Sequence, residues 1–99
     1  MVMVLVLVST VQGAQTTTLN GALLADTAGT GGSGTAITLT SVTGFPTGGG
    51  TVAIGTELIT YTGISSNDLT GIVRGTNGTA VSGTTGQAHS NGATVTNAT

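Results

Sequence analysis

Five side chains hold most of this sequence's capacity for acid–base or charge chemistry: Asp26, Glu57, Asp68, Arg74 and His89. Carboxylates beside a histidine can share general acid and base work, and an arginine fork can clamp a carboxylate or a phosphate. No Ser-His-Asp or Cys-His grouping is legible around His89, so it reads as a hydrogen-bonded loop histidine. Arg74 reads as a structural contact, its donors spent on Glu57, Asp68 or the carbonyls of exposed turns. Glu57, Asp68, Arg74, Asn77 and His89 are therefore expected to tie loops together. The chain has no Cys and a single His, so no zinc set of the usual kind can be assembled. Gly29, Gly31 and Gly34 match the spacing of a phosphate-cradling loop, but no helical pattern follows, and that context is what such a loop requires. No catalytic, cofactor-binding or metal-binding residue is assigned, and no cofactor is expected.

The elements that must position these residues are strands. Charged residues make up 4% of the 99, against roughly 25% in an ordinary globular protein. Thr and Gly dominate the remainder, with 23 and 18 copies. Thr is β-branched and suits a pleated, half-exposed surface, while Gly marks turns and bulges. One Pro rules out collagen, and no stretch has a 3.6-residue apolar period. The fold class expected is all-β: a small antiparallel sandwich or barrel of short strands and hairpins, with an extended N-terminal strand arm. Ala36–Val42 alternates polar and apolar residues, and Gly44-Phe45-Pro46 breaks the pattern. Thr51–Ile54 and Glu57–Thr62 flank Gly55-Thr56, a two-residue connection suited to a type II′ hairpin. Ser65–Asp68, Asn77-Gly78 and Asn91-Gly92 are further turns, and Ala93–Thr96 reads as a closing strand.

Three segments follow: an apolar arm over residues 1–12, a Gly/Thr-rich linker and loop over 13–34, and a β domain over 35–99. The arm alternates Val2, Val4, Val6 and Val8 with Met1, Met3, Leu5 and Leu7, so both faces of a strand would be apolar. Eight apolar residues are too few for a membrane-spanning helix, which needs about 20. An internal core strand is one rival reading; a secretory leader is another, with small residues at Val11-Gln12-Gly13-Ala14, but no Lys or Arg precedes the run. The arm is expected to add to a neighbouring subunit, through Val2, Val4, Leu5, Val6, Leu7 and Val8 above all. Nucleic acid is excluded as a partner because one Arg cannot displace the counterions of a phosphate backbone. A basic membrane-surface helix is excluded on the same ground.

The ordered series Val42-Thr43-Gly44-Phe45-Pro46, Gly55–Gly63, Leu69–Thr79 and Ala88-His89-Ser90-Asn91-Gly92-Ala93 resembles a small β-rich module of tailed-bacteriophage virion structural proteins. The likeness covers about residues 35–96. The chain departs from it in the insertion Val81–Gln87 and in the apolar arm. The resemblance implies a non-enzymatic particle component, and small size, few charges and an addable strand favour a capsid decoration (cement) protein. A tail, neck or fibre subunit is the alternative within a virion, and a secreted bacterial filament or surface-layer subunit the alternative outside one. The partners expected are copies of the chain itself and other virion structural proteins, first among them the major capsid protein. The location expected is the virion, on the head surface before the tail. In that setting Asn77-Gly78-Thr79 and Asn97-Ala98-Thr99 are chance matches to the glycosylation pattern.

Overall fold

The alternation along Thr51–Tyr61 sets the largest strand pair. The computed structural model describes residues 15–76 and 86–99. Within it, β3 (Gly50–Ile54) and β4 (Glu57–Tyr61) pair antiparallel with Ile54 opposite Glu57. Gly55 closes the turn at φ 60, and Thr56 does not share the positive φ. A positive φ at the first central position alone is the sign pattern of the type II′ turn expected from Gly55-Thr56.

Around this hairpin stand β1 (Thr16–Thr18), β2 (Ala36–Thr38), β5 (Gly63–Ser65), β6 (Asp68–Thr70), β7 (Val73–Thr76) and β8 (Thr94–Asn97). They form two antiparallel sheets, one ordered β1-β8-β3-β4-β7 and the other β2-β6-β5. The protein is all-β, and the one helical element among the described residues is a short 3₁₀ turn over Thr30–Gly32. β4 runs on through Thr62 into β5, and β6 through Gly71-Ile72 into β7. One bent hairpin thus contributes a pair of strands to each sheet. Its turn is Ser66-Asn67, and Ser66 is the only described non-glycine residue with positive φ, at 54°.

A single core lies between the sheets. Val52, Ile54, Ile59, Tyr61 and Val95 reach it from the larger sheet, and Ile37 and Leu69 from the smaller. Leu19, Leu23, Leu39, Phe45 and Ile72 enter from the connections. Full burial of one such aliphatic side chain is worth about 1.5–3 kcal/mol.

Within the stretch expected to be linker and loop, 13–34, buried and exposed residues alternate: Leu19, Leu23 and Gly29 are buried, while Leu24, Gly31 and Gly34 are exposed. Thr16–Thr18 forms the rim strand β1 against β8. Three consecutive Thr give no in–out alternation, which is why no strand is legible there from pattern alone. Two of its glycine amides are spent within the fold: Gly29 N–H donates to Gly34 carbonyl oxygen and Gly31 N–H to Ala22 carbonyl oxygen. The strand expected over Ala36–Val42 is shorter, ending at Thr38, with a single further bridge from Leu39 to Leu19. Residues 1–14, with the whole apolar arm, lie outside the described residues, as does Asn77.

Candidate functional site

Glu57 opens β4 on the same face as Ile59 and Tyr61, so the strand's alternation carries a carboxylate into the end of the core. It is fully buried, and Arg74 is 6% exposed. Burying charge in this way is tolerable only when hydrogen bonds replace the lost water. The Glu57 carboxylate accepts five. Arg74 Nε donates to Oε2 at 2.8 Å and Arg74 Nη2 to Oε1 at 3.1 Å. Gly75 N–H reaches Oε2 at 2.9 Å, Gln87 N–H reaches Oε1 at 2.9 Å, and His89 Nε2 reaches Oε1 at 2.8 Å. A carboxylate only accepts, so Nε2 is the ring nitrogen that carries the hydrogen of this contact.

The β7 strand is built to deliver two of these donors. Between the pairs Leu58–Thr76 and Thr60–Val73, β7 has one residue more than β4, which is a β-bulge at Arg74-Gly75. Arg74 points inward, and the Gly75 amide is spent on the carboxylate. The remaining Arg74 donors are satisfied by backbone carbonyls: Nη1 by Ala28 at 2.8 Å, and Nη2 by Leu24 at 3.0 Å and Gln87 at 2.7 Å. One ion pair therefore ties together β4, β7, the loop around residues 24–28 and the segment 86–89. His89 is fixed a second time, because its backbone forms a two-way bridge with Leu23 at 2.9 Å in each direction.

Space at the knot is tight. A Cβ at Gly86 would lie 2.6 Å from Arg74 Nη2 and 2.6 Å from the Asp26 carbonyl oxygen. Any side chain there would drive the guanidinium off its acceptors. Burial by itself would push the Glu57 carboxyl up. The Arg74 guanidinium, the Gln87 amide, the His89 ring and the Gly75 amide outweigh it and hold the pKa below the ordinary 4.5.

Of the residues expected to tie loops, Glu57, Arg74 and His89 are brought into one contact set. Asp68 is not among them: it closes the β5–β6 turn opposite Ser65 and pairs across to Thr38. The acceptors Arg74 uses besides Glu57 are carbonyls of Leu24, Ala28 and Gln87, two of them in the stretch read from sequence as linker. Tyr61 is 3% exposed and donates its hydroxyl to the Pro46 carbonyl oxygen at 2.7 Å. Gly86 and Gln87 had no signal of their own, lying in the apparent insertion Val81–Gln87.

At the rim of the knot, the exposed Thr56 hydroxyl meets the Gln87 side-chain carbonyl oxygen at 3.1 Å. No pocket opens among the described residues, and no group of three or more His, Cys, Asp or Glu residues there converges on a common point. No family model, curated protein or solved structure matches the chain.

What the arrangement does chemically is hold. It fastens segments distant in sequence with charge-assisted bonds, in a chain with no disulfide. With Glu57 and Arg74 consumed inside, the other formal charges are two half-buried aspartates, Asp26 and Asp68. The outer face of the larger sheet carries none. Thr16, Ala53, Leu58 and Thr96 lie in one row across it, and Thr51, Thr60 and Val73 in another.

Proposed function

We propose that this chain is a non-enzymatic structural protein of a tailed-phage virion, acting as a decoration (cement) subunit on the head. The observation that carries the reading is where the fold puts the residues of the phage-module likeness. Glu57, Arg74, Gly75 and His89, which come from three separate motifs of that likeness, share one buried knot. A fourth motif is pinned by the Tyr61 bond to Pro46. The ordered motifs are thus accounted for as one interlocked scaffold, with its charges turned inward.

A scaffold of this kind leaves the surface to contacts. Interface cores are depleted in charged residues, and the outer face of the larger sheet has none. The apolar sequence of residues 1–8 supplies a segment able to complete a neighbour's sheet, with gain of roughly 25 cal/mol per Å² of apolar surface covered. Individually weak contacts of this sort reinforce a shell when symmetry repeats them.

Quantitative mass spectrometry of density-gradient-purified particles tests the proposal. The chain is expected in intact particles and in isolated heads, at a fixed ratio to the major capsid protein. Recovery with tails alone would move it to a tail or fibre role. Absence from every particle fraction would refute the virion assignment.

A further inference from the structure

The rim of the knot brings together a hydroxyl, a carboxamide and a carboxylate-bound imidazole. The Thr56 hydroxyl lies 3.1 Å from the Gln87 side-chain carbonyl oxygen. Glu57 Oε1 holds His89 Nε2 at 2.8 Å and the Gln87 backbone amide at 2.9 Å. In the neutral ring, Nε2 giving its hydrogen to the carboxylate leaves the lone pair on Nδ1. Both ring nitrogens adjoin Cε1, and Cε1 faces the turn that carries Thr56, 3.8 Å from the Cβ position of Gly55. A histidine held by a carboxylate, with its ring edge towards the turn that carries a hydroxyl, has the makings of a base for an oxygen nucleophile.

We propose that Thr56 and Gln87 form an intramolecular ester cross-link, with His89 moving the proton. The His89 imidazole takes the Thr56 hydroxyl proton as the Oγ1–Cδ bond to Gln87 forms. The Cδ–Nε2 bond then breaks, and the nitrogen leaves as ammonia with that proton. Thr hydroxyl and Gln carboxamide become ester and ammonia, with no oxidant, metal or cofactor. Holding the two groups in contact supplies the proximity that such a sluggish displacement needs. Release of ammonia into dilute solution draws the exchange forward. The reaction happens once per chain and has no external substrate, so it is compatible with a structural role but does not depend on it.

The bond would tie the β3–β4 turn to the segment that follows residue 85. In a chain with neither Cys nor Lys, it would do what a disulfide does elsewhere, restricting the unfolded chain by closing a long loop.

Intact-mass spectrometry of the purified, folded full-length chain decides the matter. The expected mass is that of the sequence less one ammonia, and treatment with hydroxylamine should open the link. Peptide mapping should join the segments containing Thr56 and Gln87. Succinimide formation at Asn77-Gly78 or Asn91-Gly92 also loses ammonia, so Thr56→Val is the necessary control. That variant changes an exposed turn residue and should fold. It should recover the ammonia, and His89→Gln should slow the appearance of the lighter species in freshly made protein. A wild-type mass equal to the sequence mass would overturn the proposal, as would an ammonia loss that persists in Thr56→Val.

Discussion

Replacing Arg74 by Met removes every donor of the guanidinium while keeping much of its length. Glu57 is then left buried with three of its five hydrogen bonds, and the carbonyls of Leu24, Ala28 and Gln87 lose their Arg74 donors. Breaking a buried pair on one side costs about 3–5 kcal/mol, because the surviving charge stays uncompensated. A chain of this length has roughly 5–15 kcal/mol of stability in total, so the loss is a large share of it. Each kcal/mol lost should lower the melting temperature by about 4–8 °C, giving a fall of about 12–40 °C. Urea unfolding and thermal melting read the loss, and a cycle with Glu57→Leu separates ion pairing from packing. The double variant no longer buries a lone charge, so it should be more stable than the sum of the single losses implies, by about 2–3 kcal/mol. A coupling near zero, or an Arg74→Met variant that melts with the wild type, would refute the account of the knot.

The other predictions concern the same scaffold. Glu57 has a folded-state pKa below its unfolded one, so its contribution is full above the unfolded value near 4.5. It is lost as pH falls through the lower folded value. Urea midpoints measured through the acid range should therefore drop below about pH 4.5 in the wild type, and the drop should be much smaller in Glu57→Gln, which starts less stable. Gly86→Ala should destabilise by about 1–3 kcal/mol through overpacking alone; a neutral result would mean that Arg74 and the Asp26 carbonyl are not as close as 2.6 Å to that position. Ser66→Gly should raise stability by up to about 1 kcal/mol, by relieving the side-chain clash of a left-handed residue in the β5–β6 turn. A lower urea midpoint would contradict the positive φ at Ser66.

Much of the strand layout is legible from local chemistry. Gly55-Thr56 between two alternating runs specifies a hairpin and its turn type, and Val95 between two Thr specifies a strand with one face buried. That Arg74 holds loops through a carboxylate is legible because the chain offers it only three, but the choice of Glu57 over Asp68 comes from the fold. What escapes is whatever depends on distant backbone. β1 carries no periodic signal because Thr16, Thr17 and Thr18 are identical, and its strand state comes from pairing with β8 across the length of the chain. The acceptors at Leu24 and Ala28 are carbonyls, which every residue has, so no residue type announces them. Gly86 is required by the approach of Arg74 and Asp26, and such a crossing leaves no mark in the neighbouring sequence.

The central claim, a charge-poor scaffold that serves as a subunit of a phage head, is tested most directly by electron microscopy of native particles labelled with an antibody against this chain. The account predicts label spread over the heads in a regular pattern. Label confined to tails or fibres would contradict the head assignment, and label on cell-surface filaments with none on any particle would contradict the virion reading itself.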